Sequence, residues 1–283
     1  MNRADFLSAS ADSEFGSEHR SIGREELSSS EKVLSIMELF TPDQPVWTVE
    51  KAAEILTLSE STVYRYFRSL ASFGLIFTVK PGQYLLGPGI IRFDRQLRQA
   101  DPLIRASRPY IEEFAAAFPQ CGLIFISRLY QDRLMSMFER PIGAEPFQCS
   151  YERGELMPMF SGAPALAILA FTAIRTLRPI FRRVASGQGA EQRWTALKKQ
   201  FRRIRADGFC TSINDPDPGI IYISVPLHQE GGGVAGSLTF AGNEREFDSE
   251  QRSAIAGQLQ AMSRDIRESI LRKMGQPQEE GRA

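Results

Sequence analysis

The chain has 283 residues, 42% of them hydrophobic and 24% charged, a composition suited to a globular protein with two cores. Its 34 basic and 34 acidic residues cancel, so global charge carries no signal for nucleic acid. No apolar run reaches the roughly 18 residues that span a bilayer, Cys121, Cys149 and Cys210 lack metal-ligand or disulfide spacing, and with two histidines a His-based catalytic site or metal cluster is hard to build, which weighs against an enzyme without excluding one.

In chain order, residues 1–27 hold six acids and three bases, and the stretch from Ser8 to Ser30 is rich in Ser and Glu. It is too polar to bury, which predicts a disordered tail. It lacks the basic-then-apolar pattern of a secretory signal, so the chain is expected in the cytoplasm. Val33, Leu34, Met37 and Phe40 then recur at helical spacing and predict a helix over about 31–40, with Ser30 as N-cap. The loop Thr41-Pro42-Asp43-Gln44-Pro45 stops it, because proline cannot continue a helix. Thr48 opens a second helix to about Leu56, with Ala52, Ala53 and Ile55 as its contacts.

Ser59 opens a third helix, which Gly74 ends. Val63, Phe67 and Leu70 repeat at i, i+4 and i+7 and face inward, while Ser61, Thr62, Arg65 and Arg68 face outward with Tyr64 at the border. The run Leu75 to Val79, the turn Lys80-Pro81-Gly82-Gln83 and the run Tyr84 to Gly87 read as a hairpin. Helix, short turn, helix and hairpin form the order of a winged helix-turn-helix, over residues 28–88. Its third helix would enter the major groove of double-stranded DNA. Arg65 and Arg68 suit phosphate or guanine, Ser59, Ser61 and Thr62 suit a phosphate at a helix N-terminus, and Lys80 sits at the wing tip. Residues 59–83 hold only three bases against one acid, so element order carries this reading, not charge.

Gly89 to Arg98 reads as a linker helix within residues 89–101, and Ile90, Ile91, Phe93 and Leu97 give it an apolar stripe that needs a partner. From 102 to 274 the pattern is α+β. A helix is expected over about 103–118, strands over 122–127 and 133–138 around a Gln131-Asp132 turn, and helices over 163–171 and 194–207. Strands follow over 220–226 and 234–240, and a last helix over 249–272. An antiparallel sheet with helices on it accounts for this order. Gly231-Gly232-Gly233 lacks the Lys-Ser/Thr of a phosphate loop and reads as a hairpin turn. The basic run Lys198 to Arg205 reads as the solvated face of a helix whose buried side holds Phe201 and Ile204.

The string Leu58-Ser59-Glu60-Ser61-Thr62-Val63-Tyr64-Arg65, then Leu70, Gly74-Leu75-Ile76 and Tyr84-x-Leu86-Gly87-Pro88, resembles the DNA-binding half of the IclR family of regulators. The resemblance runs from about Ser29 to Met274, with Tyr64 where the family commonly has His. It implies a homodimer or homotetramer on a two-fold symmetric operator, and a GAF-like C-terminal domain around a small-molecule effector. The family segment Gly-x-x-x-Pro-x-His-x-x-x-x-Gly-Lys-Ala falls on Gly154, Pro158, Phe160, Ala165, Leu166 and Ala167, and Pro-Gly-x-x-Cys on Pro218, Gly219 and Tyr222. Three positions of the first motif and the cysteine of the second are therefore changed.

Ligand-contacting positions of the family correspond to Gly162, Ala163, Ser212, Tyr222, Thr239 and Ala241. Ser161, Ser212, Tyr222, Ser224 and Thr239 supply candidate donors, and Phe125, Met137 and Phe160 a candidate wall, for an organic acid or an aromatic compound. The leading expectation is an effector-controlled transcription regulator without cofactor, metal or membrane partner. A constitutive or architectural DNA-binding protein, whose C-terminal domain only oligomerises, is the alternative. An enzyme tethered by its N-terminal domain is disfavoured, because no nucleophile–base pair can be placed.

Overall fold

The computed structural model describes residues 28–274, apart from Ser186 and Gln188. The expected tails at 1–27 and 275–283 lie outside the described residues. The chain divides into two compact units between Leu97 and Arg98.

The N-terminal unit contains α1 (Ser29–Glu38), α2 (Val49–Leu56), α3 (Glu60–Ser72), β1 (Ile76–Lys80) and β2 (Gln83–Leu86). Helix α1 starts earlier than its periodicity suggests because Ser28, not Ser30, caps it. Ser28 Oγ accepts from the Glu31 amide at 3.3 Å and Glu31 Oε2 accepts from the Ser28 amide at 2.9 Å, a reciprocal box that satisfies two otherwise orphan donors. The apolar stripe of α1 is also shifted. Ile36 is fully enclosed, joined by Val33, Met37 and Phe40, whereas Leu34 is 64% exposed. Trp47 ties the hairpin down. Its backbone exchanges bonds of 3.0 and 2.8 Å with Tyr84, and its indole Nε1 donates to Leu39 O at 2.8 Å. The Tyr84 ring meets Phe67 of α3 edge-on at 4.9 Å, so the wing and α3 share one core.

Helix α4 (Gly89–Ala100) carries the division between the units and buries none of its residues. Its stripe stays open, with Ile91 at 70% and Phe93 and Leu97 also exposed.

The C-terminal unit is a six-stranded antiparallel sheet between helices. Its elements are α5 (Pro102–Ala117), β3 (Gly122–Tyr130), β4 (Arg133–Ile142), β5 (Leu156–Pro158), α6 (Gly162–Leu169), α7 (Ile174–Val184), α8 (Ala190–Asp207), β6 (Cys210–Ile213), β7 (Ile220–His228), β8 (Val234–Asn243) and α9 (Ser249–Met274). The strand order is β5-β4-β3-β8-β7-β6. Alternation in β3 sends Ile124 and Ile126 into the core formed with α5 and α9, and Leu123 and Phe125 into the core formed with α6, α7 and α8. Asp101 caps α5 by accepting from the amides of Leu103 and Ile104 at 2.9 and 3.0 Å, and it also holds Arg128 at 2.5 Å.

Two short strands and one proline-containing helix escape the sequence reading. β5 has three residues, β6 has four, and α7 carries Pro179 inside it. The Gly231–Gly233 segment does connect β7 to β8, through a short 3-10 turn at Glu230–Gly232. Met137 is a further correction. The register steps from Ile126↔Phe138 to Ser127↔Ser136, so Met137 is the extra residue of a bulge. Its side chain packs with the α5/α9 core, so it does not line the wall beside Phe125.

Candidate DNA interface and effector site

Helix α3 is amphipathic by position. Val63, Phe67 and Leu70 are buried, together with Tyr66, which the spacing argument missed. Ser61, Tyr64, Arg65 and Arg68 fall at i, i+3, i+4 and i+7 on the opposite side and are all exposed, while Thr62 is half-buried. Ser59 is the N-cap. Its hydroxyl accepts from the Thr62 amide at 3.4 Å and lies 2.8 Å from Thr62 Oγ1 and 3.2 Å from Ser61 Oγ. The helix therefore starts with a knot of hydroxyls around its positive end. The Arg65 guanidinium lies 5.5 Å from the centre of the Tyr66 ring. Neither Arg65 nor Arg68 has a carboxylate partner among the described residues. Lys80 ends β1 at the mouth of the turn, fully outward. Ser59, Ser61, Thr62, Tyr64, Arg65 and Arg68 thus lie on or at the start of one helix, and Lys80 lies on the wing.

The eight candidate effector residues also come together, but they are already engaged. Helix α6 is wholly buried, so its first-turn amides need acceptors from inside the protein. Its own N-cap residue, Ser161, does not supply one. The acceptors come from β6 and the loop that follows it, some fifty positions later. Asp215 Oδ2 accepts from the Gly162 amide at 3.1 Å, and Ser212 Oγ accepts from the Ala163 amide at 3.0 Å. Ser161 turns its hydroxyl to the same carboxylate, at 2.9 and 3.0 Å from its two oxygens. Gly162 is required here. Its φ is +75°, and a Cβ would come within 2.1 Å of Tyr151 Oη.

A second carboxylate closes the other side. Asp217 accepts from the Tyr222 hydroxyl, from the Ser150 amide at 2.9 Å and from Ser150 Oγ at 2.6 Å. Burial, with the neighbouring acids, pushes the Tyr222 phenol up, so it stays a donor. Phe125, Tyr151 and Tyr222 stand in series, with ring centres 5.3 and 5.0 Å apart, and fill the middle of this face. Ser224 and Thr239 pair with each other at 2.8 Å. Ala241 is buried opposite Tyr222. Phe160 is half-buried against Phe181 at 5.2 Å. A surface groove of about 470 Å³ on this unit touches none of the eight and runs instead past Phe147, Pro218 and Arg245.

The model of the IclR helix-turn-helix domain matches residues 29–78, and the model of the bacterial transcriptional regulator IclR C-terminal domain matches residues 102–268. The chain belongs to the IclR family of bacterial transcriptional regulators. Its N-terminal unit is the family's DNA-binding helix-turn-helix. Solved structures of IclR regulators share its fold. The one from Alicyclobacillus acidocaldarius is 18% identical, covers 87% of this chain and 99% of its own, and has a TM-score of 0.70. The IclR family regulator from Brucella abortus is 17% identical over 88% and 96%, with a TM-score of 0.68. An IclR homologue from Microbacterium hydrocarbonoxydans, solved with 4-hydroxybenzoate, is 16% identical over 87% and 100%, with a TM-score of 0.69. Curated protein sequences give no match. These relatives are regulators, not enzymes, and no described helix is long and apolar enough to cross a membrane.

Sequence reasoning missed Tyr151, Asp215 and Asp217. The aspartates sit in Asn214-Asp215-Pro216-Asp217-Pro218-Gly219, which reads as turn chemistry. Their signal was the fully apolar segment after Gly162, which predicts a buried helix start and therefore an acceptor from elsewhere.

Proposed function

We propose that this IclR-family chain is a sequence-specific, operator-binding transcription regulator, and that a small-molecule effector acting on its C-terminal unit controls it. The outward face of α3 carries this reading. Two arginines without carboxylate partners among the described residues lie beside Tyr64 on one side of a capped helix that fits the major groove. Arg65 and Tyr64 read bases, and Ser59, Ser61, Thr62, Arg68 and Lys80 position the protein on phosphates. The open stripe of α4 suits self-association into a dimer or tetramer, which would place two α3 helices on symmetric half-sites. The 4-hydroxybenzoate held by the Microbacterium hydrocarbonoxydans homologue makes aromatic compounds and organic acids the effector classes to try first.

Mapping bound DNA across the genome defines the operator. On that operator Arg65→Ala should cost about 1–3 kcal/mol and relax base preference. Full affinity in this variant would remove Arg65 from the interface.

A second reading is a constitutive DNA-binding protein, and the internal pairing of the candidate effector donors favours it. Titrating aromatic and acidic metabolites into the protein–operator complex separates the two. A change in operator affinity supports control by an effector, and constant affinity across the panel supports the constitutive reading.

A further inference from the structure

We propose that the outer face of α8 is a second DNA contact, one that holds phosphates without reading sequence. The choice of partner rests on the DNA-binding reading of the chain. The charge and exposure of the surface do not.

Charge is unevenly placed along the chain. Residues 28–88, which contain the helix-turn-helix, hold five bases against six acids. A unit with that balance gains no general attraction to phosphates from its net charge. In α8, by contrast, residues 192–206 hold six bases and no acid. Trp194, Phe201 and Ile204 bury one side of α8 in the core, which fixes the side that faces out. Lys199, Arg202 and Arg203 stand exposed there at i, i+3 and i+4, with Lys198 half-buried beside them. Neighbouring bases are already engaged. Arg178 pairs with Glu191 and lies 5.0 Å from the centre of the Trp194 ring, Arg205 donates to Ala170 O, and Arg193 also has a contact. Lys198, Lys199, Arg202 and Arg203 find no carboxylate partner among the described residues. A helix face built only for solvation mixes acids with bases at i, i+4, where they attract. Here Lys198 and Arg202, and Lys199 and Arg203, are like charges at that spacing and repel. A polyanion relieves this repulsion. The guanidinium forks of Arg202 and Arg203 match phosphate oxygens two at a time, and Lys199 adds a point charge. Duplex DNA carries one charge for about every 1.7 Å of its axis, so it can meet three cations held within about 6 Å of helix together.

The probe is a random-sequence DNA duplex, and its binding to the full-length protein is followed by fluorescence anisotropy over a salt series. The test protein carries Lys199→Gln, Arg202→Gln and Arg203→Gln together. The control carries Arg264→Gln, Arg267→Gln and Arg272→Gln, three exposed bases of α9, and so has the same net charge. Three lost phosphate contacts lower the slope of log K against log salt by about 2.7 for each bound protomer. Raising salt from about 50 to about 200 mM should therefore cost the wild type about 40-fold more affinity than the test protein. Arg202→Gln alone should lose about a third of that slope difference, and the α9 control should keep the wild-type slope. Equal slopes for the wild type and the test protein would overturn the proposal, and so would an equal loss in the α9 control. If the test protein keeps the DNA slope and instead loses binding to poly-glutamate, the surface belongs to an acidic protein and the proposal falls. Operator reading is scored separately, by Arg65→Ala on the operator. Normal operator binding by that variant refutes reading by α3 and leaves the α8 slopes on random DNA as they are.

Discussion

Replacing Tyr222 by Phe should destabilise the C-terminal unit by about 2 kcal/mol, although it deletes one oxygen. The hydroxyl donates to the Asp217 carboxylate from a residue with 0% exposure. A bond to a charged acceptor contributes about 1.5–3 kcal/mol net. Asp217 is not orphaned by the change, because Ser150 still donates twice, so the middle of that range applies. Asp217→Ala should cost more, about 3–4 kcal/mol, since it strips three donors at once and leaves a buried phenol without an acceptor. Ser150 is only half-buried and can turn to water. In the double variant the phenol is already gone, so the second step loses less. The two effects should therefore fail to add by about 1–2 kcal/mol. For a unit of this size each kcal/mol moves Tm by about 2–4 °C, which gives about 4–8 °C for Tyr222→Phe. Scanning calorimetry and urea titration of the four proteins measure the cycle. Additivity within about 0.5 kcal/mol, or a Tyr222→Phe protein that melts like the wild type, would show that the pair is not coupled as its geometry requires.

Other outcomes test separate parts of the molecule. Ser59→Ala removes the α3 cap and should cost the N-terminal unit about 1 kcal/mol. Ser59→Asp should keep the cap and its stability yet lose operator affinity by charge repulsion, so an Asp variant that binds DNA normally removes Ser59 from the phosphate contacts. Ser127 on β3 sits opposite Ser136 on β4 and Ser237 on β8, and their buried hydroxyls find no partner among the described residues. Ser127→Ala should therefore be neutral or stabilising by up to about 1 kcal/mol in urea titration, and a loss of that size would reveal a partner in solution. Burial pushes the Cys149 thiol up to about 11 and the Cys210 thiol up to about 12. At pH 8 their thiolate fractions are on the order of 10⁻³ and 10⁻⁴. Iodoacetamide should then leave both unlabelled in the folded protein, and rapid labelling of Cys210 seen by mass spectrometry would contradict its burial.

Most of the N-terminal unit was legible because its signals are local. Ser59 and Thr48 cap where a side-chain oxygen is needed, Gly74 stops α3 with a left-handed φ, and the 3.6-residue period separates Phe67 from Arg68. The slip at α1 has the same origin. Leu34 and Ile36 are both apolar, and only packing against the rest of that core decides which one turns inward. In the C-terminal unit the central strands were legible from their apolar runs, whereas β5 and β6 lie at the sheet edges with too few residues for a period to show. The candidate effector residues lie at the start of α6 and on β6, β7 and β8. What the sequence could not show was their state, because the partner of Gly162 is Asp215 and that of Tyr222 is Asp217, and such pairings depend on tertiary closure alone.

That closure bears on how any effector would act. Asp215 and Asp217 are two residues apart in one loop, yet they serve different elements, the start of α6 and Tyr222 near the start of β7. A ligand that takes the Gly162 amide must first release Asp215, and its apparent affinity falls by the fraction of molecules in which that has happened. The released loop also carries Asp217, which holds Tyr222 and Ser150. Binding at α6 therefore cannot leave the aromatic series Phe125–Tyr151–Tyr222 untouched, because its last member is anchored by the same six-residue segment. A ligand that enters among those rings without displacing either acid avoids this cost, and it needs apolar surface more than charge. Under the proposed effector control, a ligand that disturbs less of the 214–219 segment would bind at lower cost, whether it is an aromatic compound or an organic acid.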